Sequence, residues 1–217
     1  TGEQKKPMNL IVGLLLAYLL GSIPSAYYAG KWIRGIDLRH YGSGNLGFTN
    51  AWRTLGFKIS IPVLIFDIGK GAAAIGLARW LCPGNEIAAI AAGLAAILGH
   101  NWTVFLGFKG GGKGVAVSAG VFLALAPVPF LVTLAVFLLI LGATRYMSLA
   151  SISGAVTLVA AGGILTAVKS PAAPSLEVFL FSLAAAVLLV ARHASNIKRL
   201  LNGTENRLSF NTKEGAL

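Results

Sequence analysis

The chain has 217 residues, 56% of them hydrophobic and only 12% charged, with a mean hydropathy of +0.76. A soluble domain averages about 25% charged residues, so there is too little polar surface for a water-facing globule, and lipid is the expected solvent. Lys and Arg outnumber Asp and Glu by 18 to 7, a net charge of +11. No stretch is polar enough to form a nucleic-acid face, which leaves anionic headgroups and small anionic substrates as partners, with no nucleic acid among them. The single cysteine, Cys82, excludes an intrachain disulfide and any multi-cysteine metal site. It reads as a small packing residue near a helix end.

A spanning helix needs about 20 apolar residues. Thr1–Pro7 precedes the first such run and reads as a remnant or short extension apart from the fold. The run itself, Asn9–Ala29, is too long for a removed signal peptide and lacks a small-residue cleavage site. Phe57–Leu81 is the second span, interrupted by Asp67 and Lys70, and Ile87–Leu106 is the third. Val115–Ala126 and Phe130–Ala143 are shorter, and the Pro127-Val-Pro129 break makes them two helices joined by a tight turn. Ser148–Val168 and Leu176–Ala191 follow, separated by the Pro-containing loop 169–175. The expected fold is therefore an all-α integral membrane protein of seven helices. Residues 8–210 form a single domain and 211–217 a short tail.

Sorting the cations by side orients the bundle. With the N-terminus outside, only Lys5, Lys6, Arg79 and Lys169 fall on the outer face. Every other Lys and Arg, except Lys70 within its span, falls on the inner face. That asymmetry places the C-terminus in the cytoplasm. Asn101-Trp102-Thr103 and Asn202-Gly203-Thr204 match the glycosylation sequon but lie at or inside the inner face, and are discounted.

The inner loops carry the chemistry. The first holds Gly42, Ser43, Gly44, Asn45, Thr49 and Asn50, followed by Arg53. Its glycines allow turns that gather several N–H groups onto one ligand. Its hydroxyls and amides add donors, and Arg53 adds a planar fork suited to phosphate. The bland alternative is a flexible connector.

The second loop, Lys109-Gly110-Gly111-Gly112-Lys113-Gly114, approaches the G-x-x-x-x-G-K-[ST] pattern but has Gly114 in place of the magnesium-binding hydroxyl. Nucleotide hydrolysis is therefore not expected. Its N–H groups still precede a helix start, and together with a lysine they attract phosphate. Further along, Arg145, Ser148, Arg192, His193, Asn196 and Arg199 line inner segments. His193 and Asn196 stand three apart, so they share a helix face and can address one ligand together. A lone interfacial His also serves as an amphipathic anchor. Asp67 and Lys70, three apart inside a span, read as a mutual structural ion pair.

These residues, taken in order, resemble the bacterial PlsY family, the acyl-phosphate:glycerol-3-phosphate acyltransferases. The resemblance runs from Gly21-Ser22-Ile23-Pro24 through Gly42-Ser43-Gly44-Asn45, Thr49-Asn50 and Arg53 to Gly99-His100, Phe105 and Phe108-Lys109-Gly110. It continues through Gly112-Lys113-Gly114-Val115-Ala116, Arg145-Tyr146 with Ser148, Arg192-His193, Asn196-Ile197, Arg199-Leu200, Gly203 and Glu205. Phe48 departs from the usual Ala, Trp102-Thr103 from Phe-Pro, and the loop before Lys113 has three glycines where two are usual. That extra residue bears on where Lys113 points.

The resemblance implies transfer of a fatty acyl group from acyl phosphate to the 1-hydroxyl of glycerol 3-phosphate, giving lysophosphatidic acid and phosphate in the first step of phospholipid synthesis. It implies that Ser43, Arg53, Lys113, Ser148, His193 and Asn196 hold glycerol 3-phosphate. The loop of Gly110, Gly111, Gly112 and Gly114 would cradle acyl phosphate, with no cofactor, no metal and no covalent intermediate. A substrate phosphate oxygen would take the hydroxyl proton, with His193 the rival base. Bacterial inner-membrane localisation, a cytoplasm-facing site, contact with membrane lipids and a monomeric chain complete the expectation. A carrier for a phosphorylated molecule is the competing class. It requires midplane charges and repeat symmetry, and only Asp67 and Lys70 speak for it. A structural membrane subunit explains the hydrophobicity but not the glycine loops.

Overall fold

The computed structural model describes residues 5–209, with side chains described from residue 8. The expected tail 211–217 and the first four residues of the expected extension lie outside them. Among the described residues there are ten α-helices and no strand. They are α1 (Lys5–Ser22), α2 (Ser25–Arg34), α3 (Phe48–Leu55), α4 (Phe57–Leu81), α5 (Glu86–Asn101), α6 (Val115–Leu125), α7 (Pro127–Thr144), α8 (Met147–Ala167), α9 (Leu176–Arg192) and α10 (Ala194–Leu201).

Among the described residues, five stretches are long and apolar enough to cross a membrane: Met8–Arg34 (the broken α1–α2 run), Phe57–Leu81, Glu86–Leu106, Pro127–Thr144 and Met147–Ala167. A sixth exists if α9 and α10, bent by 60°, count as one. The expected Val115–Ala126 span is an 11-residue helix, about 16 Å at 1.5 Å per residue. That is roughly half a hydrocarbon core, so the expected count of seven is not met by helix length.

The chain divides into two compact units, one up to Ala124 and one from Leu125. In the first, the expected Asn9–Ala29 span breaks at Ile23-Pro24. Proline has no N–H to continue the ladder and disfavours helix at the residue before it. α2 then ends where Gly35, at φ 68°, closes a turn with Gly35 N–H on Lys31 and Ile36 N–H on Gly30. α1 packs along α5, and α4 along both. Glycines let these backbones touch: a Cβ on Gly21 or Gly99 would collide with α5 or α1, and one on Gly71 or Gly120 with α6 or α4.

α4 is 25 residues, about 37 Å. Its first half packs on α2 and α3 over a small core of Ala26, Leu38, Leu46, Ala51, Leu55 and Val63. Its middle lies level with the α1–α2 break and the end of α5, where Lys70 meets Ile23 and His100. In the second unit α8 packs on α7 and α9, α10 packs on both α8 and α9, and the chain after α10 returns so that Leu208 N–H donates to Arg145 O.

Candidate active site

The first glycine loop is built around Asn50. This residue is buried in the first turn of α3, accepts the Ser43 N–H at Oδ1 (2.9 Å) and donates from Nδ2 to Tyr41 O (3.0 Å) and Leu38 O (3.4 Å). Gly42 (φ 59°) and Gly44 (φ 69°) take left-handed turns around it. Asn50, expected to touch substrate, also shapes the loop with its side chain. That leaves Ser43 exposed at the loop tip, Thr49 half-buried, and Arg53 half-buried one turn beyond Thr49 on α3.

The second loop is pinned to the first. Asn45 Nδ2 donates to Gly111 O at 3.2 Å, and the Arg39 methylenes lie under Gly110, which is left-handed at φ 74°. Arg39 is held in turn by a bidentate pair with Asp37 (Nη2–Oδ2 2.7 Å) and lies over the Tyr27 ring at 5.4 Å. The guanidinium beside Asp37 holds that carboxyl at about 2.

All three consecutive glycines are required by contact. A Cβ on Gly111 would meet the backbone of Asn101, and one on Gly112 the imidazole of His100. The extra glycine is thus accommodated by close packing on the end of α5. Among the described residues no acceptor faces the N–H of Gly110, Gly111 or Gly114. Gly111 and Gly114 are buried and α6 begins just after them, so this is a concentration of unspent donors suited to an anion. Lys113 is half-buried within it and Lys109 exposed beside it.

The expected Asp67–Lys70 ion pair is present, with Nζ 2.8 Å from Oδ1 and both residues buried.

In the second unit Ser148 sits in the first turn of α8 and Asn196 in the first turn of α10. Both are buried and both donate to one oxygen, Glu205 Oε1, at 2.8 and 2.7 Å. Arg199 Nε closes on Oε2 at 2.7 Å. Burial alone would raise the Glu205 carboxyl's pKa, but the bonds from Asn196, Ser148 and Arg199 outweigh it, and the value lies below the usual carboxylate range.

Glu205 is quoted in the resembling pattern, but sequence reasoning gave it no role. The available signal was a lone carboxylate among Arg192, Lys198, Arg199 and Arg207, just past the turn at Gly203. His193 sits at the break between α9 and α10, at the N-cap of the helix that carries Asn196. Its Nδ1 lies 2.8 Å from Leu189 O. A carbonyl only accepts, so Nδ1 carries a proton and donates it to Leu189 O.

Residues 11–203 match the family model described as glycerol-3-phosphate acyltransferase. A glycerol-3-phosphate acyltransferase of Thermoanaerobacter sp. (strain X514) is 44% identical over 206 residues, covering 95% of this chain and 99% of the relative. The protein of that name from Chlorobaculum tepidum is 41% identical, again over 95% and 99%. Crystal structures of PlsY, an integral membrane glycerol 3-phosphate acyltransferase, in glycerol 3-phosphate and lysophosphatidic acid forms, superpose with a TM-score of 0.79. They are 36% identical and cover 92% of this chain and 95–96% of theirs. This chain belongs to the glycerol-3-phosphate acyltransferase family and is a membrane acyltransferase of phospholipid synthesis.

Proposed function

We propose that the acyl donor is an acyl phosphate and the acceptor the 1-hydroxyl of glycerol 3-phosphate, as the first step of phospholipid synthesis. The hydroxyl oxygen attacks the acyl carbonyl carbon, the carbon–oxygen bond to phosphate breaks, and lysophosphatidic acid and phosphate leave. The observation that carries this reading is the pair of glycine loops joined at Asn45–Gly111, with unspent N–H donors and Lys113 at the start of α6. Such donors stabilise both a phosphate and a developing oxyanion. Acyl phosphate is a mixed anhydride with a good leaving group, so the departing phosphate can take the hydroxyl proton. No enzyme nucleophile is then needed.

Ser43, Arg53, Lys113, Ser148, His193 and Asn196 are assigned to glycerol 3-phosphate. The loop of Lys109, Gly110, Gly111, Gly112 and Gly114 is assigned to the acyl phosphate. His193, its ring oriented by the Nδ1 bond to Leu189 O, is assigned a hydrogen bond with a glycerol hydroxyl. Glycerol 3-phosphate enters this proposal through the PlsY structure described as its bound form. The cation asymmetry supports an outer N-terminus, a cytoplasmic C-terminus and a cytoplasm-facing site in the inner membrane, with α6 and α9 completing seven helical segments.

The test is purified protein in detergent with glycerol 3-phosphate and palmitoyl phosphate, or palmitoyl-CoA in a parallel reaction. Lysophosphatidic acid and phosphate should form in the first reaction alone. Product from palmitoyl-CoA and none from palmitoyl phosphate refutes the donor assignment.

A further inference from the structure

The buried Asp67–Lys70 pair does more than neutralise itself. The Lys70 ammonium has three N–H donors, and three acceptors surround it: Asp67 Oδ1 at 2.8 Å, Ile23 O at 2.9 Å and His100 Nδ1 at 3.1 Å. Asp67 Oδ1 also accepts from Ser25 Oγ at 2.7 Å. One side-chain cluster thus ties the broken α1–α2 corner, the middle of α4 and the end of α5. None of these residues carries a role in the reaction as described above.

The consequence falls on His100. An ammonium donating to Nδ1 requires a lone pair there, so the neutral ring keeps its proton on Nε2. That edge lies against Gly112: a Cβ on Gly112 would fall on Nε2 itself, and the Gly112 N–H donates to the His100 carbonyl at 3.0 Å. His100 therefore meets the phosphate loop twice, accepting the Gly112 N–H at its carbonyl and packing the Nε2 edge of its ring against Gly112, immediately before Lys113. His100 is itself 7% exposed and Lys70 3%, so the ring is supported from behind by a charge that has no competing water.

We propose that His100 is a positioning residue for this acyltransferase, held by Lys70 and Asp67 in the Nε2–H tautomer so that it sets the Gly110–Gly114 loop, and with it Lys113, against the acyl phosphate. This rests on the assignment of that loop to the acyl donor. Displacement of a supporting group by an ångström is enough to cost about 100-fold in rate, and the positioning here acts on the loop rather than on the chemistry.

The ring's two edges can be separated by substitution. His100→Asn keeps a polar group near Nδ1 and loses the Nε2 edge, whereas His100→Gln keeps a donor near Nε2. In the full chain in detergent, His100→Asn should raise the acyl phosphate KM about tenfold and leave the glycerol 3-phosphate KM within about twofold, and His100→Gln should recover most of that loss. Amide hydrogen exchange of the peptide covering 109–116 should be faster in His100→Asn and in the double variant Asp67→Asn/Lys70→Met, and close to wild type in His100→Gln. The double variant removes both buried charges together and so avoids leaving one unpaired.

The exchange arm needs no substrate. If the wild type does not turn over palmitoyl phosphate, the donor assignment fails while the exchange comparison still decides the positioning role. Equal behaviour of the Asn and Gln variants, or a loop whose exchange is unmoved by the double variant, overturns the proposal. So does a folded His100→Gln protein with the full KM defect, which keeps the test decisive where His100→Asn yields no folded protein.

Discussion

Ser148, in the first turn of α8, donates its hydroxyl to Glu205 Oε1 at 2.8 Å, and Asn196 reaches the same oxygen at 2.7 Å. One carboxylate therefore orients two residues assigned to the substrate and is itself steadied by Arg199. Removing it leaves a buried hydroxyl and amide without their acceptor. Glu205→Ala should lower the unfolding free energy by about 3 kcal/mol, the scale of a lost charge-assisted network, and Glu205→Gln by less. Thermal unfolding in detergent measures both, and an alanine variant as stable as wild type contradicts the hub.

The same carboxylate predicts a pH response. Its folded-state pKa lies below the ordinary value, about 4.3 in an unfolded chain. The stabilisation is therefore complete above the unfolded value and is lost as the pH falls through the depressed folded one. The melting temperature should hold steady from neutral pH to about 5 and decline below about 4, and the part of that decline due to Glu205 should vanish in Glu205→Gln. Identical acid profiles for the two proteins would remove Glu205 as the cause.

Glycines in the second loop should be intolerant where a matched helical glycine is not. Gly112→Ala drives a methyl into the His100 ring, whereas a methyl on Gly69 of α4 meets nothing within 4 Å. The first should cost about 100-fold in turnover. The second should leave turnover unchanged, and the greater helix propensity of Ala should stabilise it by up to about 1 kcal/mol. Initial-rate assays and melting curves of the two variants suffice, and equal rates contradict the packed loop.

Arg53 and Asn50 share α3 but should fail differently. Arg53→Ala should abolish measurable turnover, a loss of about 100-fold or more, with the melting temperature kept, because it removes a phosphate fork from a half-buried position. Asn50→Ala should lower both activity and stability, since the Ser43 N–H loses its acceptor and the Tyr41 and Leu38 carbonyls each lose one of two donors, at about 1–3 kcal/mol for the unsatisfied donor. Near-normal turnover of the Arg53 variant refutes its phosphate role. An Asn50 variant of wild-type stability refutes the staple.

The amino-acid sequence by itself determined the membrane class and the places of most apolar helices, and it supplied the cation asymmetry and the two glycine loops on which the proposed orientation and site rest. Each of these depends on properties that are local in the chain: the length of an apolar run, the position of a proline, the spacing of glycines beside a lysine. Local reading also recovered the Asp67–Lys70 pair, because three residues along a helix is one turn.

What it did not contain was partnership across long separations. Asn50 stood only as a candidate ligand and is also a staple, because only the folded loop shows that Ser43 and Tyr41 bond to its amide. Glu205 carried no role in the sequence and is a hub, because the chain beyond α10 returns to the start of α8. Lys70 reaches His100 and Ile23 only because glycines let α1, α5, α4 and α6 approach to backbone contact. A buried polar group takes whichever partner the packing brings within about 3 Å. That choice belongs to the tertiary structure, and it decides which of the polar residues in each loop shape the site and which are left to meet the substrate.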